Sequence, residues 1–348
     1  MSWGRAFLGC FFALSLVGCG ACSPLYILEG AVVQGRILLS REPLSRVLND
    51  PNLSKLDREK LELVQAARVF AADTLGLKVG DAYSTYAEVP DGALVWVVSA
   101  ARQTELESYR WWFPIVGSVT YKGFFEKQDA EELAASLDEQ GWDTYVRPSS
   151  AFSTLGWFDD PVLSNWLTRD DVALVDLVLH ELVHRSFYRS GQTDFNESFA
   201  TWAGRVGTYE FFRSRDGEES ANAKLAGKRL ELSFEGSAQW RKRIDALRDF
   251  YRRAARAEWP LAKVLEDRRE FFRPFGAAAQ MNNAVILARW AYRKDLRDFR
   301  CARQASGDSL AVALAATWER SLAAKDPFAA IRCQGIPAQA VAAPEGRL

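Results

Sequence analysis

The chain has 348 residues, of which 44 are Lys or Arg and 45 are Asp or Glu, for a formal net charge of −1. That balance gives no electrostatic case for nucleic acid, whose phosphates are bound by an excess of basic side chains. A hydrophobic content of 48% with 12% aromatic residues supports a sizeable core, and no internal repeat or long low-complexity linker divides the chain.

Residues 1–18 read as an export signal. Arg5 supplies charge, an apolar run covers 6–17, and small residues precede Cys19. The run is far shorter than the roughly 20 residues that cross a bilayer, so a lasting transmembrane anchor is not expected. Leu16-Val17-Gly18-Cys19 resembles the bacterial lipoprotein cleavage box, which would make Cys19 the lipidated first residue of the mature protein. Ordinary cleavage near Cys22, or a short buried helix, are the other readings. Gly20 resembles the outer-membrane sorting pattern of a diderm bacterium, placing the protein on that membrane and facing the periplasm. The expected layout is a signal at 1–18, a folded region at 19–334 and a flexible tail at 335–348.

Residues 25–47 look helical, with Pro43 early in a second short helix. Ser54-Lys55-Leu56-Asp57 starts a stronger helix running to about Thr74. Residues 93–100 are rich in strand formers. Residues 113–120, 128–139 and 143–147 then predict strand, helix, strand. The segment 117–147 also resembles small peptidoglycan-binding modules, although a structural part of a sheet is the simpler reading. Beyond Thr201 the pattern is mostly helical. Residues 218–256 are charge-rich with spaced apolar residues, which predicts solvated helices with buried stripes. The piece 241–256 is Arg-rich but also acidic, so a basic interaction patch is the lesser reading. A helix is predicted over 279–294, where Asn282 and Asn283 either line a groove or make helix-packing hydrogen bonds. Of the five cysteines, Cys301 and Cys333 can pair in an oxidising compartment or stay as inert buried thiols.

The two histidines of the chain are both in His180-Glu181-Leu182-Val183-His184. On a helix, positions i and i+4 share a face, so both imidazoles point into one space and suit a zinc ion. Glu181 is rotated about 100° away and can act on a water as a base without being a ligand. Asp170 or Asp171 is the expected N-cap, and the apolar run 172–179 buries the helix. Asp176, one turn before His180, is either an acceptor for its ring or a solvated or capping aspartate.

With no further histidine, a third ligand must be a carboxylate or thiolate. The first helix is expected to end near Tyr188, and Ser190-Gly191-Gln192-Thr193-Asp194 reads as a turn. A returning helix beginning at Asn196 would carry Glu197 back over the histidines. Two alternatives stand beside it: Glu197 capping its own helix in a box with Asp194, or Asp194 itself as the ligand.

His-Glu-Leu-Val-His followed by Asn196-Glu197-Ser198-Phe199-Ala200 resembles the thermolysin-like zinc peptidases, whose third ligand is a glutamate on the next helix. More closely, the chain resembles the bacterial Putative aminopeptidase family, through Trp112-Phe113-Pro114, Ser153-Thr154-Leu155-Gly156-Trp157-Phe158-Asp159-Asp160-Pro161, Phe195 to Ala200 and Asn282-Asn283-Ala284. The resemblance implies His180, His184 and Glu197 as Zn2+ ligands, Glu181 as the base and a peptide as substrate. It also implies a sheet before the active-site helix whose edge strand binds extended substrate, here placed at 145–154. Two features depart from the thermolysin-like pattern. Only the 12 residues 185–196 separate His184 from Glu197, and Thr201 stands where an aspartate is usual. The Gly-x-Met-Glu-Asn stretch that holds a free amino terminus is absent.

The expected fold is α+β and mainly helical, a zincin-like core with a small sheet before the His-Glu helix. The expected function is a lipid-anchored zinc peptidase, with Tyr188 a candidate oxyanion donor or a packing residue. The rival from another class is a non-catalytic envelope scaffold with a structural metal.

Overall fold

The computed structural model describes residues 37–89, 95–113, 117–149, 159–276, 280–307 and 309–332. The signal, Cys19, residues 150–158, Cys333 and the tail lie outside the described residues. The architecture is mainly helical with three small sheets. Among the described residues no helix is long and apolar enough to cross a membrane.

β1 (Glu42–Pro43) runs into α1 (Leu44–Leu48), so Pro43 stands at the N-cap, not inside the helix. In α2 (Lys55–Asp73) the hydroxyl of Ser54 accepts from the Asp57 N–H at 3.0 Å, the cap its sequence predicts. β2 (Thr85–Ala87) pairs antiparallel with β1. The central strand β3 (Val95–Arg102) is followed by β4 (Trp111–Phe113) and β5 (Gly117–Val119), which pair with each other. One strand was expected over 113–120. Gly117, at φ +75°, adopts a backbone that side chains disfavour, and β5 runs antiparallel to β4, so 113–120 is not one strand.

β6 (Lys122–Phe124), α3 (Lys127–Glu139) and β7 (Trp142–Ser149) complete a second unit, with antiparallel strand order β6-β3-β7. Ala130 and Ala134 of α3 pack on Val98 from one face. After β8 (Val162–Leu163), which pairs parallel with β2, come the two helices that build the site. These are α4 (Asp171–Ser186) and α5 (Thr193–Asp216). α6 (Ala221–Arg256) is one 36-residue helix where several were expected. In its Arg-rich end Arg248 pairs with Asp245 and Arg252 with Asp249, while Arg241 reaches Asp298. α7 (Leu261–Phe272), α8 (Asn283–Trp290), α9 (Leu296–Ala305) and α10 (Leu310–Leu322) follow.

α8 is shorter than the helix expected over 279–294, because Asn282 caps it: the Asn282 side chain accepts from the Val285 N–H and donates to the Thr144 carbonyl of β7. Asn283 is fully buried, donating to the Arg102 carbonyl and accepting from the Tyr251 hydroxyl at 2.8 Å each. Both amides are therefore helix-packing groups. Beside them Arg268 of α7 grips Asp143 of β7 through two 2.8 Å hydrogen bonds, and the Asn283 N–H donates to the same carboxylate. This network fixes α8 on the face of β3 and β7 opposite α3.

The largest apolar cluster joins α2, α4, α5 and α10. α4 contributes Val175, Val178, Leu179 and Leu182, all at 0% exposure. Each such side chain stabilises the helix position by roughly 1.5–3 kcal/mol relative to exposure. Lys60 of α2 bonds the Arg169 carbonyl at 2.7 Å, tying α2 to the start of α4.

Candidate metal centre and its surroundings

α4 begins at a cap, and the cap is Asp170: its side chain accepts from the Ala173 N–H at 2.9 Å. Arg229 of α6 holds the same carboxylate with two bonds of 2.8 and 3.0 Å. Ten residues on, His180 and His184 share one helix face with their Nε2 atoms 3.0 Å apart. The helix ends at Ser186, two residues before Tyr188, where Phe187 turns to extended backbone.

The return to α5 is stapled by Asn196. Its amide accepts from the Arg189 N–H at 3.0 Å and donates to the Arg189 carbonyl at 2.8 Å. Arg189 in turn donates to the Ala324 carbonyl at 2.7 Å beyond α10. Gly191, at φ +74°, supplies the left-handed residue of the turn. α5 begins at Thr193, three residues earlier than expected. Asp194 thus lies inside its first turn and pairs with Lys294 at 3.1 Å, away from the histidines. It is neither the cap nor the ligand.

Glu197 comes back over both rings, its Oε2 3.5 Å from His180 Nε2 and 3.6 Å from His184 Nε2. The three ligand atoms lie within 4.8 Å of one another. Ligands about 2.05 Å from a tetrahedral ion would be about 3.3 Å apart. The observed 3.0, 3.5 and 3.6 Å bracket that value, so the cluster can hold a metal ion without rearrangement. Among the described residues no fourth side chain joins the group. Glu181, buried at 9% exposure, stands on α4 next to His180 but outside the ligand set.

Without an ion, burial pushes the Glu197 carboxyl up, but His184 and His180 outweigh it and hold it well below the usual carboxylate range. His180 is shifted the other way. Burial lowers it, yet the Glu197 hydrogen bond and the charges of Glu181, Glu197 and Asp176 raise it above the ordinary value. Asp176, for which the sequence leaves open an acceptor for His180 or a solvated or capping aspartate, acts on His180 as a nearby charge and faces Arg205 at 3.9 Å. Thr201 is buried near the site, and His184 Nδ1 has no hydrogen-bond partner among the described residues.

Gly204 sets how closely the two helices approach. A Cβ there would sit 3.1 Å from Asp176 Oδ1 and 3.2 Å from the backbone N of His180. The absent side chain lets α5 lie against the turn that precedes the first ligand.

Three tyrosines surround the carboxylates. Tyr292 stacks on the His180 ring at 6.2 Å between centroids and 26° between planes. Burial raises its hydroxyl, as does the charge of Glu197, against a hydrogen bond from Arg147 of β7. Burial and Glu197 likewise raise Tyr121 and Tyr188, with Tyr292 a further neighbour of Tyr121. Tyr188 was singled out from the sequence; Tyr121, Tyr292 and Arg147 were not. They come from 33 (Arg147), 59 (Tyr121) and 112 (Tyr292) positions away from His180 along the chain, and nothing local in their sequence marks them.

β7 is an edge strand among the described residues. It covers the first half of the predicted 145–154 edge, and 150–154 lie outside the description. The Ala100 carbonyl of β3 bonds the Tyr109 N–H and the Arg102 N–H bonds the Glu107 carbonyl, both on the side away from β7. Their partners Thr144 and Trp142 therefore turn their backbone groups outward, and by alternation so does Val146. Arg147 points its side chain from this strand to Tyr292. Cys301 is buried and disulfide-bonded; Cys333, its expected partner, lies outside the described residues.

No curated protein and no solved structure matches the chain. The model of the family described as Putative aminopeptidase matches residues 25–326, more than half of the chain, and the chain belongs to that family.

Proposed function

We propose that the protein is a zinc-dependent peptidase, zincin-like in its core, with His180, His184 and Glu197 as ligands and Glu181 as general base. The observation that carries the reading is that, among the described residues, three side chains of ligand type converge with a buried glutamate beside them that does not join the set. Three ligands leave a position for water or substrate, whereas a structural zinc site closes with four. That favours the enzyme over a scaffold.

When bound, zinc would polarise a scissile carbonyl and make water a better nucleophile at neutral pH. Glu181 takes the proton of the attacking water and delivers it to the leaving amine. Tyr292, stacked on His180 and held by Arg147, is the donor best placed to stabilise the oxyanion, ahead of Tyr188. The Thr144 carbonyl is taken by Asn282, so an added strand of peptide would pair with the outward backbone groups of β7 beyond it, at Val146, a mode that binds main chain and tolerates sequence. Cys19 would hold the enzyme on the outer membrane, a placement that rests on the residues around it alone.

The test uses the full chain purified in detergent, with metal content measured beside hydrolysis of a mixed peptide library. About one zinc per chain and cleavage that disappears in Glu181→Gln while the metal remains would support the reading. No metal after reconstitution with zinc would overturn it.

A further inference from the structure

One turn of α4 before the first ligand, a cavity of about 250 Å³ opens between α4, α5, α6 and the segment after α8. Its lining includes Asp176, Arg205, Arg229 and Arg293, with exposed Leu232 at the rim. Three guanidinium groups thus share a small space with one carboxylate. Arg229 is engaged by Asp170 outside the cavity. Arg205 meets Asp176 only at 3.9 Å. Arg293 donates to the Arg289 carbonyl at 2.9 Å and lies over the Trp240 ring, and among the described residues it has no carboxylate partner. Burial, with the neighbouring cations Arg205 and Arg289, pushes its pKa down, so the cavity holds positive charge that the protein leaves uncompensated.

We propose that this cavity is an anion subsite that takes a carboxylate of the peptide substrate, gripped by Arg205 and Arg293. The proposal rests on the peptidase reading and adds a substrate class to it. Guanidinium groups match a carboxylate bidentately, and a partly buried site strengthens the contact. Position relates the subsite to the metal centre. Asp176 precedes His180 by one turn, about 5.4 Å along the helix, and Tyr292 on the His180 ring is the direct neighbour of Arg293. One or two extended residues cover such a span. The carboxylate is therefore either the carboxyl terminus of a short peptide or an acidic side chain next to the scissile bond.

Calorimetric titration separates these sources and separates the subsite from catalysis. The full chain in detergent is titrated with acetyl-Ala-Ala and its carboxyl-terminal amide, and with acetyl-Glu amide and acetyl-Gln amide. Each titration is run metal-loaded and again after removal of metal by a chelator, so that a carboxylate on zinc cannot imitate the subsite. In one of the two pairs the acid should bind about tenfold or more tightly than its neutral partner in both metal states. Preference within the first pair identifies a terminal carboxylate, and within the second an acidic side chain. Arg205→Gln and Arg293→Gln should abolish the preference, and Arg205→Lys should retain part of it. Equal affinity within both pairs in the metal-free wild-type chain would overturn the proposal, whether or not the protein cleaves peptides. Tighter binding of inorganic phosphate than of any carboxylate would overturn the assignment to peptide.

Discussion

The hydroxyl of Ser198, fully buried on α5 one position after Glu197, donates to the carbonyl of Ala291 at 2.6 Å. The same oxygen accepts from the Lys294 N–H at 3.1 Å, so it brackets the segment that carries Tyr292. The helix that carries Glu197 thereby also fixes the ring stacked on His180.

Ser198→Ala should leave the Ala291 carbonyl and the Lys294 N–H unpaired in the interior. Thermal unfolding should show a loss of about 1–3 kcal/mol. Peptide hydrolysis should fall while metal content holds, because the ligands stay in place and Tyr292 does not. Unchanged turnover in a destabilised protein would show that the bracket serves stability alone.

Tyr292→Phe keeps the stacking ring and removes only the hydroxyl. If that hydroxyl stabilises the oxyanion, kcat should fall about 10²–10³-fold with zinc stoichiometry intact. A fall of less than about threefold would move the role to Tyr188 or Tyr121.

Gly204→Ala adds a Cβ against the Asp176 carbonyl at 3.2 Å and the His180 N at 3.2 Å, both backbone atoms that cannot swing aside. The helices must separate by a few tenths of an ångström, which loosens Glu197 from the histidines. Zinc should bind more weakly in a competition titration, whereas Ala substitution at half-buried Gly236, with nothing within 4 Å, should leave affinity unchanged.

Acid should release the metal early. His180 is raised above its ordinary value in the metal-free protein, so it holds its proton to a higher pH than a free imidazole, about 6.5. Protons and metal compete for the same nitrogen, and zinc affinity should decline as pH falls through that raised value. Titration of affinity against pH checks the sign. A decline beginning only near pH 4 would place the sensitive group elsewhere.

Arg268→Ala should be among the most destabilising changes, since it strands the Asp143 carboxylate, 5% exposed, without its ion-pair partner. A loss of about 3–5 kcal/mol is expected by denaturant unfolding.

How far the sequence reaches depends on how locally each feature is encoded. The spacing of His180 and His184, the Asp170 cap and the Ser54 cap are contained within single turns of helix, and they appear where their residues predict. Glu197 was harder, because its spacing from Asp194 also fits a capping box. Only the start of α5 at Thr193, which puts Asp194 against Lys294, decides between them. Tyr292 and Arg147 owe their positions to α8 docking on β7 through Asn282, Asn283 and Asp143. Such contacts across more than 130 residues leave no period in the sequence. The helix expected over 279–294 failed for the same reason: Asn282 spends its side chain on Thr144 and on its own cap, so the helix starts late.

The three residues that could hold a metal ion lie in one helix pair and the turn between them, residues 171–216, whereas Arg147, Tyr292, Arg229 and Arg293 come from other elements and Arg205, of the cavity arginines, shares α5 with Glu197. On the proposed reading, changes in β7, α6 and the segment after α8 would alter peptide choice without disturbing the hairpin that would hold the ion.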